Sequence, residues 1–397
     1  MEFNENTKVL RKTWNFKLCQ GNKPQYFREL YQKIYCIFRP QPFILLLKLT
    51  NGGIKQMKLR FLILLSVMAV ACGTAVAQSD YTVPRTEYGQ ADLQGVWNFS
   101  SSTPMQRPER FGEQEFLTPE QVQEQIERQA RMTALADARE AELIVDPEPP
   151  PSGQTPRGYN TFWIEMGTLG DNVRTSHIVY PLNGRLPQAV EGNPVIAGGL
   201  GPDITGERPV RFIVGGIGKD GPEDRGTSER CLVGFNAGPP FQPSLYNNNM
   251  QIIQHRDAFV IMTEMVHDAR IVPLIEKAEL SDDIRLWSGD SIGYWEGDTM
   301  VVKTKNFNGM QASFQSRGNN HDMMLTEKFT RVSYDVVNYE FTVEDPSTYT
   351  EKISAIVPMS KVAGQIYEYA CHEGNYGMIN TLRGARMEER REAEGIN

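Results

Sequence analysis

Tyr339, Phe341 and Val343 alternate with Glu340, Thr342 and Glu344. A period of two places one face of a strand on a core and the other in water. Other strand-like runs accompany it, at residues 92–99, 252–253, 259–265, 300–304, 325–329 and 366–371. From Met250 onward the chain reads as an antiparallel meander. Many short strands separated by turn residues predict a mainly β fold, an antiparallel barrel or sandwich. Residues 175–180 and the stretch from Arg185 flank Asn183-Gly184, the signal for a type I′ hairpin. Residues 192–226 read as loop, with a short strand at 210–214.

One early helix interrupts this pattern. Thr118 is placed to cap it, Pro119 to occupy its first position and Gln121 to complete a capping box. Leu117 and Val122 are spaced as a hydrophobic staple. The helix should run to about Glu142 on the surface, since Val122, Ile126 and Ala130 form only a thin apolar stripe. Residues 146–158 hold five prolines and read as an extended loop. Residues 383–394 are highly charged and read as a solvated helix or tail.

The N-terminal fifth sets the expected compartment. Lys58 and Arg60 precede an apolar run from Phe61 to Ala71, and Ala75-Val76-Ala77 precedes Gln78. This is the order of a secretory signal peptide. The apolar run is too short to span a bilayer, which takes about 20 residues. The expected organisation is therefore an over-extended reading frame over 1–56, a signal peptide over 57–77 and a single secreted β-rich domain over 78–397. A genuine cytosolic extension before a membrane anchor is the alternative, and Cys72 is a weak candidate for lipidation. Removing the 12 basic and 3 acidic residues of 1–77 leaves 29 basic and 46 acidic, a net charge of −17. Such a charge argues against nucleic acid and anionic lipid as partners. No later apolar run is long enough for a transmembrane segment. The expectation is a periplasmic or secreted protein with a small-molecule ligand or substrate and no cofactor.

Two cysteines remain, Cys231 and Cys371, and an even pair in an oxidising compartment invites a disulfide. The alternative is two buried thiols.

Two of the five histidines sit beside carboxylates. His267-Asp268 precedes Arg270, and His372-Glu373 precedes Tyr376. A neighbouring carboxylate can orient an imidazole and raise its basicity, as acid–base catalysis requires. His267 is then the acid or base, Asp268 its orienter, Arg270 an anion stabiliser, and His372 with Glu373 a second proton-transfer pair. Tyr376 can donate to a developing oxyanion. Tyr246, Asn247, Asn248 and Asn249 offer donors and acceptors to a ligand, including sugar hydroxyls. Glu264 and Trp295 complete the candidate binding set. Ordinary turn chemistry accounts for each of these clusters equally simply.

Three motifs point to chemistry less well. Glu264, His267, His372 and Glu373 could be offered to zinc, but no H-E-x-x-H or H-x-H spacing occurs, and no metal is expected. Gly289-Asp290-Ser291-Ile292-Gly293 matches the nucleophile-elbow pattern, yet it leads into strand rather than helix. The Gly216–Gly221 match to a dinucleotide motif leads into more loop.

The stretches Asp92-Leu93-Gln94-Gly95-Val96-Trp97, Glu264 to Arg270, Trp295 to Thr299 and Tyr367 to Tyr376 together resemble a family of secreted bacterial proteins of uncharacterised activity. The resemblance covers about Asp92 to Arg386 and includes both cysteines. The Gly-x-Trp opening and the Trp-Glu-Gly-Asp-Thr strand also resemble lipocalin-like barrels faintly, at the level of fold. Such a barrel can hold one small ligand inside. Three functions follow. One is a cofactor-independent lyase, isomerase or hydrolase acting on a small organic or sugar-derived substrate. Another is a periplasmic binding or carrier barrel. The last is a structural envelope protein.

Overall fold

The computed structural model describes residues 81–145, 164–167, 169, 172–192, 218–275, 277–278, 280–309, 314 and 321–396. All belong to one unit spanning Ser79–Asn397. The expected loop at 146–158 and strand at 210–214 lie outside the described residues, as does the whole of 1–78.

The chain is mainly β. Strands β1 (Gly95–Asn98), β2 (Ile178–Tyr180), β3 (Asn249–Gln254), β4 (Ala258–Thr263), β5 (Ala269–Pro273), β6 (Asp290–Glu296), β7 (Thr299–Lys305), β8 (Met324–Arg331), β9 (Val336–Glu344) and β10 (Ile353–Val362) form one sheet. Its order is β5-β4-β3-β1-β10-β9-β8-β7-β6, with β2 paired beside β10 and every pairing antiparallel. The first strand is thus inserted between β3 and the last. The sheet curls until its two edges meet. A Cβ on Gly293 of β6 would lie 2.9 Å from Val272 of β5 and 2.8 Å from Leu274. Only glycine lets the edge strands approach this closely. No hydrogen-bond ladder joins them, so the barrel stays open along that seam.

Alternation decides what fills the interior. The inward positions of β9 are Val337, Tyr339, Phe341 and Val343, all buried. They meet Trp97, Phe99, Phe259 and Phe329 from neighbouring strands. The rings pack tilted rather than face to face, with centroids 5.0–5.7 Å apart in the pairs Phe329–Tyr339, Tyr339–Phe341, Phe259–Phe329 and Phe99–Phe241, as aromatic quadrupoles favour. Phe241, from the long connection before β3, enters this core and is 1 % exposed. The interior expected to hold a ligand is filled by side chains. Residues before β1 are tied to the sheet, since Leu93 N donates to Gln254 Oε1 of β3 at 2.6 Å and Trp97 Nε1 donates to the Leu93 carbonyl at 2.8 Å.

Helix α1 (Pro119–Val145) begins as the capping box predicts. Gln121 N donates to Thr118 Oγ1 at 3.3 Å, and Thr118 N donates to Gln121 Oε1 at 2.8 Å. Its described side chains are mostly exposed. Helix α2 (Tyr376–Ala393) is capped by Asn375, whose side chain accepts from Met378 N. It therefore starts earlier than the charge run suggested.

Two expected elements do not form. After β2 the chain turns over Pro181–Gly184, closed by Gly184 N donating to the Pro181 carbonyl at 2.8 Å. Gly184 has a positive φ but Asn183 does not, and a type I′ hairpin needs both. Arg185 onward leaves the sheet, and β2 pairs with β10 instead. Residues 366–371 are coil. Both sheet edges pack on each other, and a disulfide between Cys231 and Cys371, with Cα atoms 5.8 Å apart, ties the segment to the 225–234 region. Among the described residues no helix is long and apolar enough to cross a membrane. That and the disulfide are compatible with a secreted protein.

Candidate functional site

The predicted site residues separate into three places. The first is the barrel rim. His267 ends a short turn after β4 and is exposed. Its Nδ1 lies 3.4 Å from the Tyr369 carbonyl oxygen, three residues before His372. His372, Glu373 and Tyr376 are exposed too, Tyr376 by 70 %. Asp268 accepts from Ser288 Oγ at 3.4 Å. The turn is strained, since Val266 has φ 61° and His267 φ 45°. A β-branched residue there is an outlier costing on the order of 1–3 kcal/mol.

The second place is the barrel interior. Arg270 points inward from β5 and grips Glu327 of β8 through two parallel bonds, Nη1 to Oε2 at 2.6 Å and Nη2 to Oε1 at 2.9 Å. Glu327 is fully buried and also accepts from Tyr339 Oη at 2.9 Å. Tyr339 Oη in turn accepts from Phe241 N at 3.1 Å, and the Arg270 guanidinium lies over the Phe241 ring. Burial, with Glu327 beside it, holds the Tyr339 phenol well above its usual range. Arg270 is therefore committed to a carboxylate of its own chain. Trp295 packs against the core from β6, and its indole N–H is buried.

The third place is the outer face of the sheet, where the asparagine run and Glu264 converge. Register sets Asn249 beside Asn98 and Asn98 beside Ser360, one polar row across β3, β1 and β10. Asn98 Nδ2 donates to Asn249 Oδ1 and to Glu165 Oε2, both at 2.9 Å. Asn249 Nδ2 donates to Glu264 Oε2 at 2.8 Å. Glu165 also accepts from Asn247 N at 2.9 Å and from Asn248 Nδ2 at 3.0 Å. Asn247 takes φ 56°, the left-handed turn role that asparagine fills well. Asn248 is fully buried and bonds Ser244 twice, while the Tyr246 ring packs edge-on against Phe235. Burial raises the Glu264 carboxyl pKa, and the nearby Glu165 charge adds to the rise, against the Asn249 hydrogen bond.

This row forms part of the wall of a cavity of about 1160 Å³. Its sheet side follows the outward residues of β10, Ile356, Pro358, Ser360 and Val362. Its other side is built from residues 100–103, 164, 166, 167, 169 and 172–174 and from α1. Gln125 Nε2 donates to Ser102 Oγ at 3.3 Å, docking α1 on that loop. Gly167, at φ 66°, lies so close to the Ser100 backbone that a Cβ would come within 2.7 Å of its carbonyl oxygen. His177 closes one end. It is 2 % exposed, its Nδ1 donates to the Ile356 carbonyl at 2.7 Å, and Ser101 Oγ lies 3.0 Å from Nε2. Burial lowers its pKa to about 4, so the ring is neutral at pH 7.

The amides differ in what they leave over. A carboxamide has two N–H donors and two acceptor sites. Asn98 uses all four, because its oxygen also accepts from Ser100 N and Oγ. Asn249 uses one donor and one acceptor site in the network. It keeps one of each at the cavity wall, the pairing that reads a hydroxyl.

Sequence reading missed Asn98, Glu165 and His177. Asn98 was legible in part, since alternation with Trp97 places it outward on β1. Nothing around Glu165 or His177 marked them, because their partners are 67 to 179 residues away in the chain. Ser291 of the nucleophile-elbow match is buried on β6 and shares a hydrogen bond with Thr304. Among the described residues no cluster of three or more His, Cys, Asp or Glu could hold a metal.

No family model, curated protein or solved structure matches this chain.

Proposed function

We propose that this is a periplasmic binding protein for a small hydroxylated molecule, held in the cavity on the outer face of the sheet. One observation carries the reading. Asn249, with one donor and one acceptor site left over, lines a cavity of about 1160 Å³ whose floor is the row Asn249, Asn98 and Ser360. That volume suits a ligand at or above drug size. Asn98, Glu165 and Glu264 fix the Asn249 amide in place, so the reader is preorganised and little ordering entropy is lost on binding. The filled barrel interior supports the outer cavity over a lipocalin-type one.

Native mass spectrometry of protein purified without refolding tests this. A non-covalent small molecule should accompany the wild type and be lost or sharply reduced in Asn249→Ala. A bare mass, or equal occupancy in both proteins, contradicts it.

A second reading, acid–base catalysis at the rim, is favoured by the strained turn at Val266–His267 and by the His267 contact to Tyr369. It requires turnover of the co-purifying compound that both His267→Ala and His372→Ala abolish. Turnover that survives either change removes it.

A further inference from the structure

We infer that the ligand is a hydroxylated carboxylate, bound with its carboxylate toward Arg174 and a hydroxyl at Asn249. The inference rests on the cavity being the ligand site. The four outward residues of β10 span about 20 Å, at a strand rise of ~3.4 Å per residue, so the floor fits an extended molecule with separated groups.

Charge distinguishes the ends. Among the described lining residues, Arg174 and Lys361 are cationic and none is Asp or Glu. The chain as a whole carries 49 acidic and 41 basic residues, so a cation-lined wall runs against the protein's own balance. Arg174 stands at the His177 end, near enough that its charge contributes to holding the imidazole neutral. The positive charge at that end therefore belongs to the guanidinium.

Arg174 pairs with Glu115 through Nη1 and covers the Phe116 ring. The Glu115 side chain is 52 % exposed while that of Arg174 is 24 % exposed, so the pair sits with its carboxylate outward. A guanidinium has five N–H donors, and a second carboxylate can be gripped by the remainder. Lys361 carries the other positive charge, with Nζ 4.3 Å from the Tyr334 ring centroid. Between them, aliphatic residues such as Ile356, Val336 and Val362 on the sheet side alternate with the polar row. Both an acidic sugar chain and a hydroxylated acyl acid present the shared chemistry of a carboxylate and a hydroxyl.

Calorimetric titration of the full chain separates these cases. The probes are trigalacturonate and 3-hydroxydodecanoate, each compared with its methyl ester, which removes the charge and keeps the hydroxyls. At least one acid should bind about tenfold or more tightly than its ester, the scale of one charge-assisted hydrogen bond. Arg174→Met should erase that preference, and Arg174→Lys should retain part of it. The acid that binds identifies the source. Equal binding of acid and ester, weakened alike by Asn249→Ala, overturns the anionic assignment and leaves the cavity reading standing. Binding by neither acid also overturns the assignment, and the cavity reading then stands or falls on the native mass alone.

Discussion

The sheet carries two polar networks on opposite faces. Inside, Arg270, Glu327 and Tyr339 close on one another and on Phe241 N. Outside, Glu165, Asn98, Asn249 and Glu264 form a chain of similar density that stops at a cavity wall. Both rest on a carboxylate held by several donors. What separates them is where the surplus lies. The inner network leaves over the Arg270 Nε–H, buried in a core of aromatic rings. The outer network leaves a donor and an acceptor on Asn249 at a space large enough for a ligand. A buried ion pair is weak evidence for net stability, because desolvation offsets its attraction, yet breaking one is costly. The inner network therefore belongs to the scaffold, and in the proposed function the outer one serves recognition.

Substitutions should break that comparison in a definite order. Glu327→Ala strands the Arg270 charge in the core and should cost about 3–5 kcal/mol in denaturant unfolding. Arg270→Met with Glu327→Leu should recover much of that loss, since an apolar pair of similar volume replaces the ion pair. If the single change were silent, the interior would be wetter than described.

His177 sharpens the comparison through pH. Its folded pKa of about 4 lies below the ordinary value of 6.5. Between those values the unfolded chain binds the extra proton, so stability is full above pH 6.5 and falls as pH drops toward 4. The loss is about 3 kcal/mol at 1.36 kcal/mol per unit. Urea midpoints measured from pH 7 to pH 4 should show it, and His177→Asn should flatten that part of the curve. An unchanged slope would contradict the buried neutral ring.

The outer amides should give the smallest effects on stability. Asn98→Ala removes a donor to the Glu165 carboxylate and should cost about 2 kcal/mol. Asn249→Ala removes two hydrogen bonds against four for Asn98, one of them to the Glu264 carboxylate, and should cost about 1–2 kcal/mol while weakening ligand binding about tenfold or more. A reversal of that order would mean that Asn98 is the reader.

These differences also explain what the sequence disclosed. Alternation in Tyr339–Glu344, the Thr118–Gln121 capping box and the strand-like runs are local, and local patterns survive folding. The hairpin at Asn183-Gly184 failed because Pro181 set a different turn before Asn183 could adopt the required backbone. Residues 366–371 looked like strand but met no free edge. The asparagine run and Glu264 were visible as candidates, but Glu165 and His177 acquire their roles only from partners far along the chain.

The most direct test places a tryptophan at Ser360, in the middle of the cavity floor, and compares native masses with the wild type. The account predicts a folded Ser360→Trp protein, with an unchanged near-ultraviolet core signature, that carries no small molecule while the wild type does. A folded Ser360→Trp protein that retains the same ligand would place the binding site elsewhere and contradict it.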